Sequence, residues 1–572
     1  MLASILIAAT IAATPTVDIL EASLAERDAA NDRSWKELAD AAAFAAKRDA
    51  FRETFRYKTG FHDIVRTPLN ARTVGLKAYA GFRIEKVILE SAPGVYIAAL
   101  VFLPDEAKYK PPYAGFIFIP GHSVTGKSAP NYLHTCELGA RNGLAAIVYD
   151  PLGQGERSQG AGLKTSHEHV RIGAYASLVG ETTTTYMLRD AVRVLDYLAS
   201  RRDIDAERLG ASGCSGGGTL SSYLMAVDPR VKAAAPTCYL SSAREHLLAN
   251  GPQDAEQNFF DELSWGFNHA ALIFAAGCPV LINAAVEDFF QIEGARSTYR
   301  LVKDVAGRAG LPPDWHALAE APGPHGMSKF HREAAVGFLL RHFKGEFRPV
   351  METETTDFQP ADSIVTPDGE VSHLAGFRPV YDELSKKFEK SGVSVEQAAV
   401  NARELVLKEL DGEGCCEVLQ TLKGDIAKGR CATLRLGGKA MPGEVAVTLY
   451  ADAGRYILRE KRRGKRSYYE RRLDDEVVAV DFYIAGRSLA AFRAAELLKV
   501  AEELERRTGM KPRLVAEGRF ATPAKFAIAA NPSAFASVEF KDEPPPWRKM
   551  LRDRAYLSFA DSGALYSGRM GK

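Results

Sequence analysis

Ser215 stands in Gly213-Cys214-Ser215-Gly216-Gly217, a G-x-S-x-G pattern within Arg208 to Gly218. A serine hydroxyl is a weak nucleophile near neutral pH. It becomes a competent one when a base lies within hydrogen-bond reach and an acid orients that base. Glycines two before and two after the serine let a strand end, turn sharply and continue as a helix, with the serine held strained at the turn. The start of that helix favours negative charge beside the reacting oxygen. Glycine and serine are common, so the surroundings decide. Upstream, Met187 to Leu198 has helical apolar spacing, and Arg208 to Ser212 is a short strand-like run. Downstream, Thr219 to Ala226 reads as a helix stopped near Asp228-Pro229, and Val231 to Pro236 as the next strand. Helix, strand, turn, helix, strand is the order that such a nucleophile requires.

The acid is expected where a later strand ends. Pro279 to Ala285 is an apolar run that leads into Val286-Glu287-Asp288-Phe289-Phe290, so Asp288 and Glu287 are the candidates, and the apolar neighbours favour Asp288. The base is expected in a loop before the last helix. His325 lies in Pro322-Gly323-Pro324-His325-Gly326, ahead of the helical run Glu333 to His342. His316, beside Trp315 in strand-like sequence, and His331, in or next to the helix, are its rivals. The oxyanion of an acyl transfer needs N–H donors. Gly216, after the serine, supplies one; the loop after the first buried strand supplies the other, from His122 or Ser123. Arg157 either binds substrate by shaping and charging the pocket or ties down its own loop by a salt bridge. His167-Glu168-His169 has an H-x-H pattern, but nothing near it in sequence completes a ligand set. It reads as exposed loop histidines, and the chemistry calls for no metal and no cofactor.

These side chains need a scaffold. Val17 to Phe55 predicts two helices packed on the body of the protein. Phe82 to Ser91 and Val95 to Leu103 predict an antiparallel hairpin turned at Pro93-Gly94. Ala114 to Ile119 and Leu144 to Tyr149 read as buried strands, the first ending at Gly121-His122-Ser123 and the second at Asp150 to Arg157. From there to about Lys344 strands and helices alternate, which implies a mostly parallel sheet covered on both faces, an α/β class. Between Arg157 and Tyr186 lies a polar insertion over the strands' C-terminal ends.

The chain has 572 residues, 46% hydrophobic and 25% charged, with a net charge of +1. The length implies at least two domains, and the charge gives no reason to expect nucleic acid. Seven cysteines occur without C-x-x-C or zinc-type spacing. Met1 to Ala13 is apolar and small, like the core of a secretory signal although it lacks the usual basic start. The expectation is a signal peptide over 1–14 and a secreted or periplasmic protein, with no membrane-spanning segment. The remaining boundaries are a helical segment over 15–66, a catalytic domain over 67–345, a linker over 346–380 and a second domain over 381–572.

With these residues in hand, Thr67 to Lys344 resembles the acetyl xylan esterase and related carbohydrate esterase branch of the α/β-hydrolase superfamily. The resemblance rests on Thr67-Pro68-Leu69-Asn70, Ile84-Glu85, Ser91-Ala92-Pro93-Gly94, Pro120-Gly121-His122, Asp150 to Arg157 and Gly213 to Gly217. It implies a serine esterase that removes acetyl groups from carbohydrate, and it aligns the family's G-x-x-D with Ala285 to Asp288. Glucuronoyl esterases also carry cysteine before the nucleophile but follow it with arginine; Gly216 here argues against that activity. The alternatives are a peptidase of the prolyl oligopeptidase type, whose propeller repeats are missing from this sequence, a small-ester hydrolase, or a carbohydrate-binding protein on a hydrolase scaffold. In the last third, Val477 to Gly486 and Arg513 to Phe520 resemble the segments around Asp150 and Ser215, with Phe520 in the serine's place. That predicts a degenerate hydrolase-like α/β domain. Arg455 to Arg472 reads as an exposed basic hairpin around Gly464, either a solvated face or a contact for an anionic polymer.

Overall fold

The computed structural model describes residues 14–160, 162–250, 254–392 and 488–552, with short segments between 400 and 473. Two helices lead, α1 (Thr14–Lys36) and α2 (Ala41–Lys58). Asp40 caps α2 by accepting from the Ala43 N–H. Phe55 of α2 is buried among the rings of Tyr223, Phe259 and Phe267, which fastens this N-terminal layer to the body.

The body is a nine-stranded sheet. Its strands are β1 (Arg72–Tyr79), β2 (Phe82–Ala92), β3 (Val95–Pro104), β4 (Tyr113–Ile119), β5 (Ala145–Tyr149), β6 (Ile204–Cys214), β7 (Val231–Thr237), β8 (Val280–Glu287) and β9 (His316–Pro324). The spatial order is β1-β2-β3-β5-β4-β6-β7-β8-β9. The first three are antiparallel, and β5 onward run parallel. The parallel strands are buried on both faces. In β4, Ile117 and Ile119 enter one core layer while Phe116 and Phe118 enter the other. The crossover helices are α3 (Pro130–Arg141), α4 (Ser166–Ser177), α5 (Thr183–Ser200), α6 (Gly216–Val227), α7 (Ala243–Asn250), α8 (His269–Ala276), α9 (Ile292–Arg308) and α10 (Lys329–Lys344).

Two elements differ from the expectation. The exposed edge strand β1 has no buried face and so no apolar alternation to reveal it. The polar insertion holds α4, whose Ile172, Ala174, Tyr175 and Ala176 are buried. Residues 346–380, read as a linker, run along the hydrolase body. Val350, Val365 and Val371 enter its core; Thr366 N–H donates to Glu156 at 2.7 Å and Arg378 N–H to the Gly94 carbonyl at 2.8 Å. The segment includes α11 (Pro360–Ser363) and leads into α12 (Val380–Ser391).

Beyond it, the described strands β10 (Thr433–Leu436), β11 (Glu444–Ala446), β14 (Arg513–Glu517) and β15 (Ser537–Lys541) form a parallel sheet in the order β11-β10-β14-β15. It is accompanied by α13 (Leu489–Thr508), α14 (Ala521–Ala530) and α15 (Trp547–Arg552). The basic segment is an antiparallel hairpin, β12 (Arg455–Arg463) and β13 (Arg466–Leu473); Gly464 lies outside the described residues. So do Met1 to Ala13 and Val477 to Gly486. No helix among the described residues is long and apolar enough to cross a membrane.

Candidate functional site

Strand β6 ends at Cys214 and helix α6 begins at Gly216, so Ser215 is the single residue of the turn. Its backbone sits at φ 59° and ψ −123°, a strained conformation for a residue with a β-carbon. Glycines make the turn possible. A β-carbon on Gly217 would stand 2.5 Å from the Ile119 carbonyl carbon and 2.8 Å from that of Pro120. One on Gly121 would lie 2.9 Å from the Ser215 β-carbon. The loop after β4 therefore passes directly against the serine.

Strand β8 leads to the candidate acid. Asp288 follows it immediately, and its carboxylate is buried while Glu287 is exposed. The Asp288 Oδ1 accepts from His325 Nδ1 at 2.8 Å and from the Phe290 N–H at 3.0 Å. Phe289 packs on the His325 ring with centroids 4.2 Å apart. The other two histidines lie elsewhere. His316 is buried in β9, and burial pulls its imidazole down to about 4. His331 is buried at the start of α10, engaged with Ser328 in the helix cap, and burial pulls it to about 4 as well.

The dipeptide Thr237-Cys238 joins the dyad to the serine. The Ser215 N–H donates to the Thr237 carbonyl at 3.0 Å. The Cys238 sulfur, the Asp288 carboxylate and the His325 ring all lie within 4.8 Å of one another. Cys238 is buried and has φ 53°. Contact with Cys214 and burial both push its thiol well above the ordinary value, so it is neutral near pH 7. Burial lowers the pKa of His325, but the hydrogen bond and charge of Asp288 outweigh it, with Cys238 in support, and raise it to about 9. The four described cysteines Cys136, Cys214, Cys238 and Cys278 are free thiols.

The oxyanion side is fixed by a buried polar knot. Lys127 is fully buried between Asp150, 2.7 Å from its Oδ2, and Glu156. Its own N–H donates to Asp150 Oδ1 at 2.7 Å. The Ser123 N–H is donated to Gln154 at 2.8 Å, which leaves the His122 N–H as this loop's candidate donor beside Gly216. The Asp150-to-Arg157 segment thus fastens the loop that flanks the serine.

Arg157 has two readings, as a substrate contact or as a salt bridge that ties down its loop. It is fully buried, with Nη1 2.8 Å from Asp190 and 3.0 Å from the Asp150 carbonyl. A guanidinium shut off from solvent and held by Asp190 fits the loop-fastening reading better than the substrate-binding one.

His167 is exposed, as expected, but His169 is buried, because α4 turns it inward. There it meets His122 and Glu256, partners that sequence spacing could not reveal. His122 Nε2 is 3.1 Å from His169 Nδ1 and 3.0 Å from Glu256 Oε1, and His169 Nδ1 is 3.2 Å from Glu256 Oε2. Burial disfavours the charged form of His122, but Glu256 and Asp254 outweigh it and raise it to about 9.

The family model for Acetyl xylan esterase (AXE1) matches residues 76–262. The fold is that of an α/β-hydrolase. Fold and family match are those of a carboxylic ester hydrolase, serine-type by its turn. Methylesterase BT1017 superposes with a TM-score of 0.50 at 24% identity, over 64% of this chain and 79% of its own. An acetyl xylan esterase from Paenibacillus sp. R4 is similar at a TM-score of 0.36 and 19% identity, over 51% of this chain and 94% of its own. YtaP of Bacillus subtilis (strain 168), described as a hydrolase, is 34% identical over 71 residues, 12% of this chain. The chain matches 23% of that relative's length.

Proposed function

We propose that this chain is a serine esterase that removes acetyl groups from carbohydrate. The observation that carries the reading is the Asp288–His325 hydrogen bond at the C-terminal ends of the parallel strands, where the strained Ser215 turn also ends β6. With Nδ1–H donated to Asp288, His325 keeps Nε2 for the proton of Ser215. Ser215 attacks the ester carbonyl, and the N–H groups of Gly216 and His122 receive the oxyanion. Collapse expels the sugar hydroxyl, which takes the proton back from His325, and leaves acetyl on Ser215. Water, deprotonated by His325, then releases acetate and restores the serine. The acetyl group and the sugar are inferred from the family matched by residues 76–262.

The test measures acetate released from acetylated xylan, beside p-nitrophenyl acetate and a methyl glucuronate ester. Acetate release that disappears in Ser215→Ala, with folding intact, supports the reading. Turnover of the methyl ester alone would replace the acyl group assigned here, and full activity in Ser215→Ala would remove the nucleophile.

We further infer export through residues 1–14 and a degenerate hydrolase-like domain over 381–572. The second inference is supported by Arg513–Glu517 forming a strand that passes through Gly518 to Phe520, the counterparts of Gly213 to Ser215, into a helix beginning at Ala521.

A further inference from the structure

His122, His169 and Glu256 come from three separate segments: the loop after β4, helix α4 and the turn before α8. The two facing nitrogens are 3.1 Å apart, His122 Nε2 is 3.0 Å from Glu256 Oε1 and His169 Nδ1 is 3.2 Å from Oε2, and one ligand atom from each residue lies within 4.8 Å of the other two. A zinc ion with bonds of about 2.0–2.1 Å separates tetrahedral ligand atoms by about 3.3–3.4 Å. Two imidazole nitrogens and one carboxylate oxygen gathered this closely reach one face of such a tetrahedron with small side-chain rotations.

The outer partners fit as well. His169 Nε2 donates to the Leu152 carbonyl at 2.9 Å, which leaves its Nδ1 lone pair facing the cluster. His122 Nδ1 lies 3.3 Å from Asp254 Oδ2, so Nε2 is the nitrogen that faces the cluster, where a metal ion would take the place of its proton. A ligating histidine typically donates its other N–H to a carboxylate or a backbone carbonyl in this way. The third observation is an orphan. Glu256 is fully buried, and its Oε1 accepts no hydrogen bond: His122 Nε2 is 3.0 Å away but poorly aligned for one. Two imidazole nitrogens and a buried carboxylate therefore converge, held by one hydrogen bond between the rings and one to Oε2, with Oε1 left unpartnered.

We propose that His122, His169 and Glu256 bind a single divalent zinc ion. Imidazole and carboxylate donors at this spacing suit that ion, and three protein ligands leave a fourth position open. The site adjoins the nucleophile turn, since a β-carbon on Gly216 would lie 2.9 Å from His122 Cε1 and 3.1 Å from Glu256 Oε1. The ion would therefore rest behind the residue whose N–H faces the oxyanion. The site stands apart from the esterase reading, because its test reads metal and not turnover.

The experiment uses the full chain, stripped with a chelator and titrated with Co2+ as the spectroscopic probe. Visible d–d bands saturating at about one Co2+ per chain, bleached by Zn2+, are the expected result. Glu256→Gln, which keeps the shape of the side chain, and His169→Ala should each weaken binding at least tenfold. Asp254→Asn, at the outer edge, should weaken it by about 10- to 100-fold. A wild-type protein that binds no Co2+ at one equivalent, or Glu256→Gln with undiminished affinity, overturns the proposal. If His169→Ala does not fold, Glu256→Gln decides alone.

Discussion

Replacing Asp288 by Asn removes a charge while leaving a hydrogen-bonding framework in place, and the structure sets the size of the effect. A single oxygen, Oδ1, accepts from both His325 and Phe290, whereas Oδ2 is buried without a partner. An asparagine with its carbonyl oxygen at Oδ1 keeps both bonds and puts its amide nitrogen in the orphan position. The tautomer of His325 is then preserved, and what disappears is the negative charge. His325 is raised from an ordinary 6.5 to about 9 in the native site. At about 1.36 kcal/mol per pH unit, that difference bounds the stabilisation of the imidazolium at about 3 kcal/mol. Above pH 9, where the native histidine is a free base, kcat/KM should fall by about a hundredfold or somewhat more. Near pH 7 the native histidine is mostly protonated while the variant's, without the charge of Asp288, is more largely neutral, so the gap should narrow as pH falls. The assay is kcat/KM for p-nitrophenyl acetate across the pH range. An acid limb that stays where it was in Asp288→Asn refutes the reasoning, as does a loss of about ten-thousandfold at every pH, the size expected of a flipped tautomer.

The same pair makes a stability prediction. Because the folded pKa of His325 lies above its unfolded value, its contribution is fully present below about 6.5 and is lost as pH rises through about 9. The stability gap between wild type and Asp288→Asn should therefore shrink over that window in urea titrations. Gly217→Ala should give little soluble protein, since its β-carbon would meet main-chain atoms of Ile119 and Pro120 that have no way to yield; ordinary yield and Tm would contradict that. Arg157→Gln should cost about 3–5 kcal/mol by stranding the buried Asp190, with KM little changed in whatever folds. Adding Asp190→Asn should recover part of the loss, and a raised KM at native Tm would restore Arg157 to the substrate side.

Local sequence determined a good deal. Glycine spacing around Ser215 marked the turn because only residues without a β-carbon permit the approach of Ile119 and Gly121. The apolar runs marked β4 to β8 because parallel strands are buried on both faces. The loop before α10 marked His325, and the strand end marked Glu287 and Asp288, of which Asp288 is the buried one that meets His325. Strand β1 escaped because an exposed edge carries no apolar period. Arg157 left two readings open because a guanidinium serves equally in a pocket or in a buried ion pair, and only packing against Asp190 separates them. Cys238 and Glu256 had no local signal at all. They act through neighbours dozens of residues away, brought together by the parallel sheet and its crossover segments. His169 shows the division most clearly: its H-x-H pattern was visible along the chain, but which face of α4 it took, and whom it met there, was decided by tertiary packing.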